Sequence, residues 1–300
     1  MKPQTTRVLA ASQGPTATIS YNVPVTETTT SQRVSLRTVR QWADRNDKFA
    51  MLTCYDATTA KWLWRGGCRT LLVGDTAAQF MLGHTTTLPV KTPFMLEITA
   101  AVRRGAPDAF IMADMPFGSY QCGADDAVEN AVAFMADGGA DVVKLEVDDT
   151  YAPLVDRMAR AGVAVVVHLG SRPQHQRRQG KHRIDVRTDE HVHEIIDTAV
   201  RMADHGAVMV LLEAVPSAVS RGVVDALADR DVTVPVVGCG AGNACHGHVV
   251  VLHDLLGMTD WHAPFAKPMA DLGHQIETVA RQWVDVVDSC QYLRHDHPYD

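Results

Sequence analysis

Apolar runs of strand-forming composition alternate with amphipathic segments from residue 48 onward, and this alternation restricts the possible folds more than any other feature of the sequence. The runs are rich in Val and Leu and do not alternate in polarity, which is typical of parallel strands covered on both faces. Seven such runs are present: FAMLTCYD, TLLVGD, AFIMADMP, DVVKLE, VAVVVHLG, AVMVLLEAVP and TVPVVGCGAG. Helical patterns lie between them, around residues 57 to 65, 92 to 104, 124 to 138, 150 to 161, 189 to 205 and 217 to 229.

Repeated βα units approaching eight predict a (β/α)8 TIM barrel of the α/β class, and a doubly wound open sheet is the alternative. The segment APFAKPM, residues 263 to 269, is expected to supply a short eighth strand, and HQIETVARQWVDVVDSC a long closing helix. One catalytic barrel domain is therefore expected over residues 35 to 300. Residues 1 to 34 are rich in Thr and Ser and are expected to form an irregular N-terminal arm.

The composition is that of an ordinary globular protein, with 46% hydrophobic and 21% charged residues. The net charge of −7 argues against a nucleic-acid surface, so small-molecule chemistry is the better expectation. The 6 cysteines are scattered without C-x-x-C spacing, which fits a reducing cytoplasm. No apolar run approaches the roughly 20 residues of a membrane span, and the first residues lack the compact hydrophobic segment of a secretory signal.

Polar side chains occur at or near the carboxyl ends of several different apolar runs. In a barrel of parallel strands these ends meet at one mouth, where such enzymes build their sites. Any one of these residues is explained by a strand-ending turn or a helix cap, but the whole set is not. Four carboxylates and an imidazole in one mouth repel one another enough to require a cation. The residues are Asp75, Asp114, Glu146, His168 and Glu213.

Carboxylates that converge without thiolates suit a hard divalent cation, so Mg²⁺ is the first expectation and Mn²⁺ or Co²⁺ are substitutes. A 2-oxo acid would fill two open positions on that cation with its carboxylate and ketone. Lys144 lies two residues before Glu146 and faces the same side of its strand, where it would neutralise an anionic substrate. Glu213 interrupts an apolar run and is either paired structurally or tuned as a general base. His168 is expected to contact substrate rather than to ligate the metal.

The segment CGAGNACHGHVVVLHD places thiols and imidazoles close together in the sequence. Their spacing is not that of a zinc site, so exposed or locally hydrogen-bonded histidines are expected. The turn GCGAG, residues 238 to 242, lacks the Lys-Ser/Thr pair of a P-loop and the G-x-G-x-x-G fingerprint. The sequence therefore gives little support for nucleotide binding.

Nine motifs occur in unbroken order over roughly residues 35 to 290: TCYDATTAK, LLVGDT, GHTTTLPV, AAVRRGAP, ADMPFGSY, VVKLE, VHLGSRPQ, LLEAVP and GCGAGN. In these motifs the chain resembles the ketopantoate hydroxymethyltransferase family. The resemblance implies a barrel in the superfamily of phosphoenolpyruvate mutase and isocitrate lyase. It also implies transfer of the one-carbon unit of 5,10-methylenetetrahydrofolate to 3-methyl-2-oxobutanoate, which gives 2-dehydropantoate for pantothenate synthesis. A cytoplasmic homo-oligomer, a decamer, is implied as well.

The resemblance also implies roles for individual residues. Asp75 and Asp114 would bind Mg²⁺, and Glu146 would complete the metal site directly or through water. Glu213 would be the base that removes the C3 proton of the oxo acid, and GHTTTLPV would line the mouth. Substrate-binding residues would be Asp75, Thr76, Asp114, Lys144 and His168.

Several positions depart from the family pattern. Thr76 stands where the family usually has Ser, and Val167 stands where it has Gly before the His. The family's Gly-Gly-Tyr-x-x-Gln-Gly-Arg type of segment is replaced by GKHRIDVR, residues 180 to 187. His246 and His248 replace the Asp and Gln of its GNxxDGQ segment. Because the metal and base set is retained while its surroundings differ, the reaction type is better supported than the substrate.

Two alternatives remain open. One is a related barrel enzyme that forms or cleaves a C–C bond in a different 2-oxo acid, with or without folate. The other is a non-catalytic barrel scaffold, against which the clustered buried charge argues because a scaffold gains nothing from it.

The altered segment after the His168 strand is strongly basic. It is either a solvated loop or a surface that attracts an anionic second substrate, such as the glutamate tail of a folate. Its basic residues are Arg172, Arg177, Arg178, Lys181, Arg183 and Arg187.

Overall fold

A computed structural model describes residues 33–175 and 188–290. The chain divides into two units, Met1–Ser31 and Gln32–Asp300, and the described residues belong to the second. The arm expected over residues 1 to 34 therefore lies outside the described residues, apart from its last two positions.

Eight parallel strands pair in sequence order and close into a barrel, with β8 returning to β1. The predicted (β/α)8 barrel is confirmed, and the open-sheet alternative is wrong. Each of the seven predicted runs contains one strand. The strands are β1 Phe49–Thr53, β2 Thr70–Val73, β3 Phe110–Asp114, β4 Val142–Glu146, β5 Val165–Gly170, β6 Met209–Glu213, β7 Val236–Cys239 and β8 Gly247–Val250.

The eighth strand is not where the sequence predicted it. The segment from residue 263 to 269 contains turns and no strand, and its two prolines lack the N–H groups that a strand inside a closed barrel must donate. The strand β8 is only four residues long and begins at Gly247, where a Cβ atom would collide with the ring of Phe49. The sequence analysis assigned no strand to the segment that contains this glycine.

The predicted helical patterns correspond to α2 and to α4 through α8, and the predicted closing helix corresponds to α10. Local signals explain several boundaries; at α2, for example, the Asp56 carboxylate accepts a hydrogen bond from the Thr59 N–H at 2.8 Å. The helices are α1 Leu36–Asp44, α2 Ala57–Arg65, α3 Ala77–Phe80, α4 Thr92–Gly105, α5 Ala124–Ala136, α6 Ala152–Arg160, α7 Asp189–Asp204, α8 Ser217–Leu227, α9 Leu252–Leu255 and α10 Leu272–Asp288.

The helix α1 closes the amino-terminal end of the barrel. It begins with a capping box between Ser35 and Thr38, which the sequence analysis did not use. Val34 and Val39 are buried in the same cluster as Phe49 and the other side chains of the barrel interior. The site therefore has to lie at the opposite, carboxyl end of the strands.

The connection between β7 and β8 contains no helix. Residues 240–246 return along the outside of β7, and a Cβ atom at Gly238 would lie 2.8 Å from the Cys245 sulfur. At the amino-terminal end of the two strands, His246 Nδ1 accepts a hydrogen bond from the Val236 N–H at 3.0 Å. Cys239 ends β7 at the other end of the barrel. Cys239 and His246 are thus separated by the length of a strand.

The core has two layers, one inside the barrel and one between the strands and the surrounding helices. Alternate residues of each strand face the interior, so Met112 and Leu211 lie one layer below Asp114 and Glu213. A polar ring therefore lies above the apolar interior layer. In the two described ranges, no helix is long and apolar enough to cross a bilayer.

Candidate active site

The strand register places the predicted polar residues side by side. Asp114 of β3 pairs with Lys144 of β4, and Glu146 of β4 pairs with His168 of β5. Because these positions alternate with interior apolar residues, all four side chains face into the barrel mouth. Asp75 follows β2 directly, in the same layer.

Close contacts join the side chains of β3 to β6. Lys144 Nζ lies 3.1 Å from Asp114 Oδ1 and 3.0 Å from His168 Nδ1. His168 Nε2 lies 3.4 Å from Glu213 Oε2. The backbone N–H of Asp75 donates to Asp114 Oδ2 at 3.0 Å. The structure thus brings the predicted residues into one cluster, and their individual roles remain predictions.

Excess negative charge is the main electrostatic feature of this cluster, since four carboxyl groups surround the ammonium group of Lys144. Burial raises the pKa of Asp114 to about 6 and that of Glu213 to about 7. Burial and the charge of Asp75 raise the pKa of Glu146 well above its ordinary value. Burial works against the charge on Lys144, but the neighbouring carboxylates more than offset it and raise its pKa.

His168 is neutral in this environment. Burial, reinforced by the charge of Lys144, holds the pKa of His168 well below its ordinary value. Because the Lys144 ammonium can only donate, His168 Nδ1 must accept and the ring proton must sit on Nε2. That N–H points toward Glu213 without a well-directed hydrogen bond, and it is therefore available to an oxygen of a substrate.

The chemistry of the site fits a hard divalent cation. Asp114 Oδ1 is buried and has no well-directed hydrogen bond, although Lys144 lies close to it. Carboxylate oxygens from Asp75 and Glu146 share the same mouth, and such oxygens are the ligands that Mg²⁺ prefers. Over the described ranges, no group of three or more His, Cys, Asp or Glu side chains is arranged so that it could hold a metal ion as it stands. A bound cation would therefore draw these carboxylates together and relieve their repulsion.

Thr76 lies next to Asp75, at the start of α3. Its hydroxyl shares a hydrogen bond of 2.8 Å with the buried hydroxyl of Tyr55. Tyr55 was not singled out by the sequence analysis, because a tyrosine after an apolar run carries no recognisable signal. Contact between Thr76 and a substrate remains a prediction.

Gln174 and Tyr120 are further polar residues of the site that the sequence analysis did not assign. Gln174 is 4% exposed and donates to Asp75 Oδ2 and to Glu146 Oε2, each at 2.9 Å. Tyr120 donates its hydroxyl to Gln174 Oε1 at 2.7 Å. Both residues occur in motifs of the family resemblance, ADMPFGSY and VHLGSRPQ, but nothing in their residue types alone indicated this contact.

The basic segment is represented in the structure only by its first member. Arg172 donates to Asp148 Oδ2 at 3.1 Å and to the Val147 carbonyl at 2.9 Å, so its charge is already paired. Arg177, Arg178, Lys181, Arg183 and Arg187 lie outside the described residues.

An eight-stranded parallel barrel with a buried cluster of acids, a lysine and a neutral histidine at its carboxyl end defines a (β/α)8-barrel enzyme. Comparison with known proteins narrows this class. Residues 33–294 match the family described as ketopantoate hydroxymethyltransferase. The chain therefore belongs to the ketopantoate hydroxymethyltransferase family, as the motifs had indicated.

Curated relatives support this membership over nearly the whole chain. The chain is 37% identical to a 3-methyl-2-oxobutanoate hydroxymethyltransferase of Arthrobacter sp. (strain FB24), over 93% of this chain and 92% of the relative. It is 36% identical to the protein of that name in Syntrophus aciditrophicus, over 89% of this chain and 97% of the relative. A third, from Desulfotalea psychrophila, is 38% identical over 84% of this chain and 89% of the relative.

Solved structures show the same fold at much lower sequence identity. A 2,3-dimethylmalate lyase, described as a PEP mutase/isocitrate lyase superfamily member, has a TM-score of 0.56 at 15% identity, covering 84% of this chain and 86% of that chain. A phosphoenolpyruvate phosphomutase from Streptomyces platensis subsp. rosaceus has a TM-score of 0.57 at 13% identity, covering 89% and 93%. These similarities support the barrel fold.

Proposed function

We propose that this protein transfers a hydroxymethyl group from 5,10-methylenetetrahydrofolate to 3-methyl-2-oxobutanoate in a Mg²⁺-dependent reaction that gives 2-dehydropantoate. One observation carries the proposal beyond family membership. Glu213, with its pKa raised to about 7, lies beside a neutral imidazole and a buried group of carboxylates in the barrel mouth. A carboxylate tuned in this way is suited to remove a proton next to a ketone near neutral pH.

Asp75, Asp114 and Glu146 would hold the cation, because their oxygens share the mouth and lack enough positive charge to balance them. When bound, Mg²⁺ supplies a Lewis acid that withdraws electron density from the ketone of the oxo acid. Lys144 balances the negative charge of the acid, and the Nε2–H of His168 donates to one of its oxygens. The hydroxyl of Thr76 provides a further contact to the substrate carboxylate.

Glu213 then acts as the general base. The C3–H bond of the oxo acid breaks, its proton passes to the Glu213 carboxylate, and the electron pair forms an enolate. The enolate carbon bonds to the methylene carbon of the folate as one methylene–nitrogen bond breaks, and that nitrogen takes up the proton released from Glu213. The second methylene–nitrogen bond breaks when water gives its hydroxyl to the methylene carbon and its proton to the nitrogen, so that the hydroxymethyl product and tetrahydrofolate are released. About a quarter of the Glu213 side chain is exposed (26%), so the carboxylate is accessible from the mouth.

Deuterium exchange tests this proposal one half-reaction at a time. The purified protein is mixed with 3-methyl-2-oxobutanoate and Mg²⁺ in D₂O, and loss of the C3 proton is followed by NMR. The folate is then added and the product identified. We expect exchange without the folate and 2-dehydropantoate only with it.

The same measurement separates the alternatives. Exchange on another 2-oxo acid in preference to this one, without a folate-dependent product, would favour the related C–C bond enzyme. If the protein showed neither exchange nor divalent-cation binding, the non-catalytic scaffold would be the favoured alternative.

We also propose that the chain forms a homo-oligomer through α10. No residue of this 17-residue helix is buried, and Ile276, Val279 and Val287 are 51%, 64% and 38% exposed on one face. Folded monomers rarely leave such a stripe uncovered. Light scattering after gel filtration should show an oligomer that Val279→Glu dissociates and that Thr278→Glu, on the opposite face, leaves intact. A monomeric wild-type protein would contradict this.

A cytoplasmic location follows from the same proposal, since the reaction uses a reduced folate and central metabolites. All 6 cysteines lie within the described residues and none forms a disulfide. This pattern is typical of proteins kept in a reducing compartment. Fractionation of cells that carry the tagged protein would test it.

A further inference from the structure

Gln174 makes two hydrogen bonds to carboxylates of the acidic cluster, although it has no role assigned above. It lies in a short 3-10 turn, Pro173–His175, directly after β5. Its backbone N–H donates to Glu146 Oε2 at 2.9 Å, and its side-chain Nε2 donates to Asp75 Oδ2 at 2.9 Å and to the Met115 carbonyl at 3.1 Å. One residue thus bridges carboxylates that follow two different strands, β2 and β4.

The orientation of the Gln174 amide is determined by its partners. Its Oε1 accepts from the Tyr120 hydroxyl at 2.7 Å and from Gln121 Nε2 at 3.2 Å. Both N–H groups and both lone pairs of the amide are therefore used. A flipped amide would set its oxygen against the Asp75 carboxylate and the Met115 carbonyl, which can only accept. Gln174 therefore presents donors to the acidic cluster.

Tyr120 extends this network to the backbone of β4. Its hydroxyl accepts from the Glu146 N–H at 3.1 Å and donates to Gln174. Glu146 is consequently held at two points, its backbone by Tyr120 and its carboxylate by Gln174. Gln174 occupies one oxygen of each bridged carboxylate, and the other oxygens, Asp75 Oδ1 and Glu146 Oε1, take no part in this network.

We propose that Gln174 is a positioning residue that orients Asp75 and Glu146 for the divalent cation and thereby sets the affinity of the site for it. This inference rests on the proposed function, because it assumes that these carboxylates hold the cation. Groups that hydrogen-bond to metal ligands reduce the freedom of those ligands, and their loss typically costs about 10- to 100-fold in metal affinity. Without Gln174, the two carboxylates repel each other and turn apart, and the cation has to bring them back.

The test replaces Gln174 by Met, which keeps the length of the side chain and removes its donors and acceptor. Binding of Mg²⁺ and Mn²⁺ alone is measured by calorimetry, and C3 exchange is measured as a function of cation concentration. We expect affinity about 10- to 100-fold lower, a matching rise in the cation concentration for half-maximal exchange, and exchange within a few fold of wild type at saturation. The matched control is Gln79→Met in α3, where the side chain is exposed and wild-type affinity is expected.

Lower cation affinity combined with near-normal exchange at saturation distinguishes a positioning role from a merely structural one. If Gln174 only maintained the fold, the variant would lose melting temperature and exchange at every cation concentration, which would overturn the proposal. Unchanged affinity in Gln174→Met, with wild type binding the cation, would overturn it while leaving the proposed function intact. A wild-type protein that binds no divalent cation would overturn both.

Tyr120→Phe provides a second variant in case Gln174→Met does not fold. It keeps the ring and removes the hydroxyl that orients the amide, so affinity should fall in the same direction by a smaller factor. The double variant should lose no more affinity than Gln174→Met, because both changes act through the same amide. Independent, additive losses, or no effect of Tyr120→Phe, would contradict this network.

Discussion

Two regions of the barrel carry clusters of ionisable side chains, and their environments are opposite. At the carboxyl ends of β2 to β6, four carboxyl groups face one another across Lys144 and His168; we refer to this group as the acidic arc. At the β7–β8 corner, Cys239 lies at the barrel mouth and Cys245 packs beside Gly238 on the outside of β7, while His246 bonds to the backbone at the opposite end of the strand. The carboxylates of the acidic arc repel one another, whereas the side chains of the corner do not.

Comparison of the two regions shows what distinguishes a reactive cluster of side chains from a structural one. In the acidic arc, each group changes the pKa of the next, and burial keeps solvent from screening these interactions. In the corner, the imidazole of His246 accepts one backbone hydrogen bond and takes part in a strand connection. The residues of the corner are much closer in sequence than those of the acidic arc, yet only in the acidic arc does the parallel register turn the groups toward a common point.

The largest effect is expected from Glu213→Gln in the acidic arc. The amide keeps the shape of the side chain but cannot take the C3 proton, so exchange should fall by about 10²- to 10⁴-fold while the oxo acid still binds. Deuterium incorporation by NMR measures the rate and calorimetry measures binding. Exposed Glu129, as Glu129→Gln, is the control. Unchanged exchange would rule Glu213 out as the base.

The pH dependence of exchange provides an independent check on Glu213. Only the ionised carboxylate accepts a proton, so exchange should rise as the pH increases through about 7, the raised pKa of Glu213. A bound cation favours the ionised form and should move this midpoint to lower pH. A rate that falls over this range would assign the base to another group.

The next largest effect concerns Asp75→Asn and Asp114→Asn, which each replace a charged oxygen donor by a neutral amide. Divalent-cation affinity should fall by more than the about 100-fold typical of residues that only orient a ligand. Cys245→Ser and His246→Asn, in the corner, should leave this affinity unchanged. Calorimetric titration with Mg²⁺ or Mn²⁺ provides the comparison. Equal losses of divalent-cation affinity from changes in the acidic arc and in the corner would contradict a cation site in the arc.

A smaller effect is expected on thermal stability. Because the folded-state pKa of Asp114 is raised from 3.8 to about 6, its contribution to stability is present below 3.8 and is lost as the pH rises through about 6. Mg²⁺ should therefore raise the melting temperature more at pH 8 than at pH 5.5, by a few degrees, since 1 kcal/mol corresponds to about 2–4 °C in a domain of about 150–250 residues. Asp114→Asn should weaken this pH dependence, the rest being due to Glu146 and Glu213, whose pKa values are also raised, and calorimetry without substrate measures it.

The smallest effect is expected at the corner. Burial, with a further contribution from the charge of Lys48, lowers the pKa of His246 below 6.5 in the folded state. The unfolded chain then takes up the proton first, so stability should fall as the pH drops below 6.5. Urea unfolding of His246→Asn at pH 7.5 and 5.5 should show a weaker pH dependence, by about 1 kcal/mol, the net value of one hydrogen bond. Exposed His191→Asn should show the wild-type dependence.

The sequence was sufficient for the class of fold and for the choice of acidic residues. Seven apolar runs that do not alternate in polarity indicate a parallel sheet covered by helices. The polar side chains at the ends of these runs can be identified from the sequence without a structure. Asp75, Asp114, Glu146 and Glu213 could be proposed together because parallel strands must end on the same side. The eighth strand could not be located, since four residues between histidine and valine carry too weak a pattern.

The contacts between individual polar groups could not be predicted from the sequence and are seen only in the folded structure. Gln174 follows β5 by four residues, yet it contacts Asp75, which is 99 positions away in the chain, and no periodicity encodes that distance. The structure likewise separated Cys239 from His246, because a return segment without a helix carries the chain to the opposite end of the barrel. Sequence patterns reflect the local preference for helix or strand and the burial of each residue. Hydrogen bonds between loops depend instead on which loops the closed barrel brings together.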